Sequence, residues 1–261
     1  MCADRGACFD GSPGMGPGAK EGVHMDRVIR RAAVIVAAGK GLRAGTEVPK
    51  QYLPVAGKPM LLHSVETFLA AGADPVVIVI PAGDEGYVRE TVLPQIAEAA
   101  GRATDRVILV PGGAERHDSV YEGLKACADS DYVWIHDAAR PFVTREILEA
   151  SMAAAEECGA AVPVVPVKDT IYMREGADLA GIPARDGLCA AQTPQTFRTE
   201  LILRAHEAYR RMRGEGAADF AVTDDAMLVH TLLGEPVRLV EGSPANLKVT
   251  TPEDVAAWVK E

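Results

Sequence analysis

Short runs of Val, Ile and Ala alternate along this chain with amphipathic stretches of helical length, and that alternation limits the folds open to it. The apolar runs cover residues 32–37, 76–80, 107–110, 132–135 and 160–165. Each is too brief for a core helix and too uniformly apolar for a half-exposed strand, so each fits a strand buried on both faces. Between them, residues 59–71, 85–100, 118–128 and 145–157 carry helical periodicity. Repeated strand–helix–strand units predict an α/β chain with three αβα layers, a mostly parallel sheet and right-handed crossovers.

After Pro166 the rhythm breaks. Residues 168–188 hold glycines and scattered charge with no helical face, too long a stretch for an idle loop in a compact domain. They predict a β-hairpin arm that projects and packs against a second copy of the chain. Regular structure resumes with helices near 199–212 and 224–233, a strand at 237–240 and a second short strand at 246–249. A last helix is expected with Thr251 as its N-cap, Pro252 in the first turn and Asp254 three residues after the cap. Residues 1–30 are punctuated by Gly6, Pro13, Gly14, Gly16, Pro17 and Gly18 and show no apolar period. They read as a disordered tail or tag ahead of a single domain over 31–261.

Charge narrows the function. The chain has 261 residues, with 27 Lys and Arg against 37 Asp and Glu, a net charge of −10. Such a chain lacks the field of a nucleic-acid or membrane-surface binder, so any phosphate site must be a local basic cluster. No apolar run is long enough to span a bilayer. The five cysteines form no Cys-x-x-Cys pair or metal-ligand spacing, which points to reduced thiols in a cytoplasmic protein.

Two segments carry the chemistry. In Ala37-Ala38-Gly39-Lys40-Gly41-Leu42-Arg43-Ala44-Gly45 a strand ends and turns through small residues, so backbone N–H groups can approach a phosphate closely. Gly39, Gly41 and Ala44 formally match a dinucleotide fingerprint, but the acid expected about 20 residues on is missing. A Walker A loop would need Ser or Thr after the lysine, and Lys40 is followed by Gly41. Arg43 and Lys50, the latter in Pro49-Lys50-Gln51-Tyr52, are better read as phosphate clamps. The second segment, His136-Asp137-Ala138-Ala139-Arg140-Pro141, follows a strand directly, where ligands of parallel sheets bind. Asp137 could hold Mg2+ together with substrate phosphates, or cap the turn, or pair with Arg140. His136 is read as structural.

These segments occur in order with Pro166-Val167-Lys168-Asp169-Thr170, Gln192-Thr193-Pro194-Gln195, Thr223-Asp224-Asp225-Ala226 and Asn246-Leu247-Lys248-Val249-Thr250. Together, from about Arg31 onward, the chain resembles the 2-C-methyl-D-erythritol 4-phosphate cytidylyltransferases of non-mevalonate isoprenoid synthesis. The resemblance implies a Rossmann-like nucleotidyltransferase sheet with a protruding β-arm at about 168–188. It implies transfer of CMP from CTP to the methylerythritol phosphate, with Mg2+. Arg43 and Lys50 would stabilise the transition state at the α-phosphorus, and Arg185 and Lys248 would position the acceptor. Ala37, Ala38, Gly39 and Gly41, with Gly112, Gly113 and Ser119, would hold the nucleotide. Asp137, Arg140, Thr170 and Thr193 would line the acceptor pocket, with Thr170 and Arg185 reaching a partner's site in a homodimer. The chain departs from the usual pattern at Leu42, Ala114, Tyr172 and Ala184. A ribitol 5-phosphate cytidylyltransferase would share the scaffold but usually reads Ser-Val where Ala138-Ala139 stand. A non-catalytic nucleotide-binding module is the other alternative, and the presence of both Arg43 and Lys50 argues against it.

The attacking group in such a reaction is a phosphate oxygen already anionic at neutral pH, so no general base is needed. The obstacle is repulsion between two polyanions, and catalysis reduces to positioning and neutralisation. Replacing Lys50 by Ala is therefore expected to cost about 3–4 kcal/mol of transition-state stabilisation, by analogy with deleting one preorganised donor. Steady-state pyrophosphate release measures this, and a tenfold or smaller loss would remove Lys50 from its role.

Overall fold

The computed structural model describes residues 28–39, 49–250 and Asp254. Its centre is an eight-stranded sheet. Strand β1 (Arg31–Val36) pairs in parallel with β4 (Val76–Ile80) on one side and with β6 (Tyr132–Asp137) on the other. Beyond β4 lies β5 (Val107–Pro111), again parallel. Beyond β6 lies β11 (Gln195–Arg198), which runs antiparallel to both β6 and β7 (Ala160–Pro166). Strand β10 (Cys189–Ala191) pairs antiparallel with the far end of β7, so β10 and β11 form two consecutive pieces of one line. The opposite edge of β7 carries the parallel strand β12 (Arg238–Glu241). Six parallel strands thus enclose one antiparallel insertion.

Buried side chains alternate along β1 between two cores, as the period of two requires. Ala33, Ile35 and Ala37 face one layer, made by α1 (Met60–Ala70), α3 (Leu93–Ala100) and α5 (Arg145–Cys158). Ala32 and Val34 face the other, made by α4 (Arg116–Lys125), α6 (Thr199–Gly214) and α7 (Asp225–Leu233). The three-layer αβα architecture expected from the sequence is present. A small third cluster, Val55, Met60, Ala139 and Val249, joins the short β2 (Pro54–Val55) and β3 (Lys58–Pro59) ribbon to the carboxyl end of the sheet. Within residues 168–188, β8 (Met173–Glu175) and β9 (Asp178–Gly181) pair as an exposed hairpin.

Three local expectations are corrected. The helix expected over 85–100 is broken into α2 (Glu85–Tyr87), a π-turn at Val88–Val92 and α3. Pro94 enters at the start of α3, and its missing N–H interrupts the regular ladder there. Helix α4 begins at Arg116, two residues earlier than its periodicity suggested, which places Arg116 on a helix and not in a loop. Residues 246–249 form no strand. Their backbone is tied by turns and side-chain amides: Asn246 N–H donates to Ser243 O, Gln192 Nε2 donates to Ser243 O, and Val249 N–H donates to Ala139 O. The Thr251 cap lies outside the described residues. The carboxylate of Asp254 accepts from the N–H and hydroxyl of Thr250.

Helix α4 lies against the sheet at Gly123, where an added Cβ would stand 2.5 Å from Val34 Cγ1 and 2.9 Å from Val79 Cγ2. Alanine is the better helix former by about 1 kcal/mol, but overpacking a close core costs about 1–3 kcal/mol. The two methyl groups belong to β-branched residues in buried strands, which have little room to give. Gly123→Ala should therefore be net destabilising by about 1–2 kcal/mol in urea denaturation. A stability equal to or above that of the parent chain would show that the sheet yields.

Candidate active site

Strands β1, β5 and β6 end at the same rim of the sheet, and the loops that follow them open onto one cavity of about 670 Å3. Ala37, Ala38 and Gly39 continue β1. A Cβ built on Gly39 would meet no atom of the described residues within 4 Å. Gly113 belongs to the loop after β5. Its neighbour Gly112 donates to Ile80 O at 2.8 Å and packs so tightly that a Cβ would overlap Ala38 Cβ. Ser119 shapes this loop from α4: its Oγ accepts from Gly113 N–H at 3.1 Å and donates to Glu115 O at 3.0 Å. Glycine at 112 thus lets the loops after β1 and β5 touch.

A second cavity of about 290 Å3 adjoins the first, with Arg140, Gln192 and Thr193 in its lining. Arg116, Asp137 and Lys248 line both. Asp137 closes β6, and its two oxygens are divided between cations. Lys248 Nζ lies 2.7 Å from Oδ2, and Arg116 Nε lies 3.1 Å from Oδ1. Burial alone would raise the Asp137 pKa, but Arg116 and Lys248 more than offset it and hold the carboxyl well below the usual range. Lys50, from a single 3-10 turn at Lys50–Tyr52, extends to Val249 O at 3.1 Å beside Lys248. Two lysines from distant parts of the chain are thereby brought to one wall.

Beneath that wall Arg116 Nη1 reaches Asp225 Oδ2 at 2.8 Å, and Asp225 is fully buried at the start of α7. Burial would lower the Arg116 pKa, yet the carboxylates of Asp225 and Asp137 raise it above the ordinary guanidinium range. The Gln195 side chain clamps this corner. Its Oε1 accepts from the N–H groups of Asp225 and Ala226, and its Nε2 donates to Asp224 Oδ2 at 2.9 Å. Asp224 in turn caps α7 by accepting from Met227 N–H.

A model of the 2-C-methyl-D-erythritol 4-phosphate cytidylyltransferase (IspD) family matches residues 31–258. This chain belongs to that family. It is 45% identical over 235 residues to the protein of that name from Pelotomaculum thermopropionicum, covering 88% of this chain and 92% of that one. With the Geobacter metallireducens protein the identity is 42% over 237 residues, covering 88% and 97%. The crystal structure of the Thermus thermophilus cytidylyltransferase shares 34% identity at a TM-score of 0.66, covering 86% and 95% of the two chains. A 4-diphosphocytidyl-2C-methyl-D-erythritol synthase structure from Anaerococcus prevotii aligns at a TM-score of 0.72 with 29% identity, covering 88% and 96%.

Of the residues that the family resemblance singled out, Ala37, Ala38, Gly39, Gly113, Ser119, Lys50, Asp137 and Lys248 line the larger cavity. Arg140 and Thr193 line the smaller one. Thr170 and Arg185 belong to neither; both are exposed near the arm, and Arg185 Nη1 donates to Lys168 O at 3.1 Å. Arg43 and Gly41 lie outside the described residues. The sequence assigned no role to Arg116 or Asp225, although Asp225 stands in a motif it singled out. Asp137, the residue expected to hold Mg2+, has both oxygens engaged by Lys248 and Arg116, and the described residues include no cluster of three or more His, Cys, Asp or Glu that could hold a metal.

His136 is fully buried, as its structural reading implied. Its Nε2 donates to Arg140 O, which can only accept, so Nδ1 accepts from the Thr193 hydroxyl, whose oxygen accepts from Asp137 N–H. Burial pushes this imidazole down to about 4 from 6.5. Between those values the unfolded chain binds a proton that the folded one does not, so stability falls as pH drops through the window. The residue should contribute roughly 2–3 kcal/mol of lost stability between pH 7 and pH 4.5. His63 and His117, both lowered first by burial, add to it with the same sign. Denaturant titrations at the two pH values measure the slope. An unchanged slope in His136→Gln would show that His136 is not its main source.

Proposed function

We propose that this chain transfers the cytidylyl group of CTP to the phosphate of 2-C-methyl-D-erythritol 4-phosphate, giving 4-diphosphocytidyl-2-C-methyl-D-erythritol and pyrophosphate for non-mevalonate isoprenoid synthesis. An acceptor phosphate oxygen bonds to the α-phosphorus, and the α–β bridging bond breaks with its electrons going to pyrophosphate. No proton has to move for this exchange. The observation that carries the reading is the convergence of Lys50, Lys248 and Arg116 where a nucleotide-sized cavity meets a smaller polar one.

In this reading CTP occupies the larger cavity, its base against the loops of Ala38, Gly39 and Gly113, with Arg43 and Lys50 on the triphosphate. The acceptor occupies the smaller cavity, with its phosphate toward Lys248 and its hydroxyls toward Asp137, Arg140 and Thr193. Arg140 already donates to Asn246 O at 2.8 Å, so it also braces the segment that delivers Lys248. A Mg2+ would be bound by the triphosphate oxygens and not by Asp137. The location we infer is the cytoplasm, on the strength of the unpaired thiols of Cys127, Cys158 and Cys189; no described helix is long and apolar enough to cross a membrane.

Thr170 and Arg185 complete the site of a second copy in this reading, which makes the active unit a homodimer. Support comes from the arm itself: Tyr172, Met173, Leu179 and Ile182 are each more than half exposed, an apolar face that a partner would cover.

The test is pyrophosphate release with CTP, comparing methylerythritol 4-phosphate and ribitol 5-phosphate as acceptors. Strong preference for the first is expected; preference for the second would move the substrate assignment while keeping the chemistry, and silence with both would leave a nucleotide-binding module. Light scattering at micromolar concentration should give a mass near twice 27.6 kDa. Tyr172→Glu with Leu179→Glu should give monomers with at least a 100-fold loss of transfer, and a fully active monomer would remove the shared site.

A further inference from the structure

We infer that Arg116 is a positioning residue of the transfer: anchored on buried Asp225, it neutralises Asp137 at the wall between the two cavities, so that Lys248 can leave Asp137 for the incoming phosphate. The inference rests on the reaction proposed above and deepens it. Among the described residues, Arg116, Asp137 and Lys248 are the three charged ones common to both cavity linings, which places them where the two anions must meet. They differ in how firmly they are held. The Lys248 side chain is 41% exposed and its ammonium is a point charge on a flexible stem. An arriving phosphate offers it a stronger negative partner than Asp137 does.

Arg116 has no such freedom. Its guanidinium is shared between Asp137 Oδ1 and Asp225 Oδ2, and Asp225 is fully buried with His206 Nε2 3.3 Å from its other oxygen. Gln195 fixes the Asp225 backbone, and Asp224 caps the helix that carries it. When Lys248 moves to substrate, Arg116 is the cation that remains on Asp137. Without it a bare carboxylate would face both polyanions and repel them. The Thr223-Asp224-Asp225-Ala226 motif thereby has a role: it is the foundation under Arg116.

The alternative is that Arg116 and Asp225 form a buried ion pair that only stabilises the fold. Removing Arg116 alone would strand a buried carboxylate, so the arginine is replaced together with Asp225, as R116Q/D225N, which leaves that pair neutral. The full-length parent chain, R116Q/D225N and R116Q/D225N/D137N are compared by pyrophosphate release, by calorimetric CTP binding and by melting temperature. R116Q/D225N should lose about 100-fold in kcat/KM for the acceptor, while its Kd for CTP stays within threefold of the parent value. Adding D137N removes the uncompensated charge while the amide Oδ1 can still accept from an acceptor hydroxyl, and should recover at least tenfold, a sign that a purely structural role would not give. The inference is overturned if R116Q/D225N is within threefold of the parent, if D137N recovers nothing, or if CTP affinity falls in parallel with kcat/KM. Should R116Q/D225N not fold, R116K and R116K/D137N carry the same comparison, with about a tenfold loss and its recovery expected. An inactive parent chain overturns the proposed reaction and this inference together, whereas an active parent with no rescue overturns this inference alone.

Discussion

Two carboxylates, Asp137 and Asp225, are buried at the carboxyl rim of the sheet, and the site depends on their compensation. Desolvating a carboxylate without a partner is expensive, and breaking a buried pair typically costs about 3–5 kcal/mol. The chain meets this demand by bringing cations from far away in sequence. Arg116 lies 21 residues from Asp137 and 109 from Asp225, and Lys248 lies 111 residues from Asp137. Each pairing draws a different segment onto the same rim, so the electrostatic requirement also assembles the cavity walls. A protein with a net charge of −10 thereby gathers Lys50, Arg116 and Lys248 on one cavity wall.

Neutral contacts hold that charged wall in place. Asn246 is fully buried and donates through Nδ2 to Thr193 O, while Gln192 and Arg140 bind carbonyls of the same C-terminal segment. Val249 packs with Val55, Met60 and Ala139 and donates its N–H to Ala139 O. Lys248 is therefore fixed at its backbone while its side chain, paired with Asp137, stays 41% exposed. The antiparallel insertion of β10 and β11 matters here, because Gln192 and Thr193 lie in the joint between those two strands. An uninterrupted parallel strand would have no joint at that position.

Much of the fold was legible because burial on both sheet faces leaves uniform apolar runs, and β1, β4 and β6 are of that kind. The loops that line the larger cavity were legible for a related reason, since small residues directly follow such runs. The start of α4 was missed because Glu115, Arg116 and His117 read as polar loop, and only the pairing of Arg116 with two distant acids reveals its purpose. Residues 246–249 looked like a strand because apolar Leu247 and Val249 flank Lys248. Side-chain amides, which leave no periodic trace, supply the bonds that a neighbouring strand would have provided.

The close seat of α4 at Gly123 has a consequence at its other end. Gly123 is two turns along a rigid helix from Arg116, and Ser119, which shapes the Gly113 loop, lies between them. The helix acts as a gauge block between the sheet and the Gly113 loop. A methyl group inserted at 123 would lift the whole block, shifting the guanidinium and the loop together relative to strands that stay in place. One hydrogen atom in the core thus sets the working dimensions of a site about 10 Å away along the helix axis.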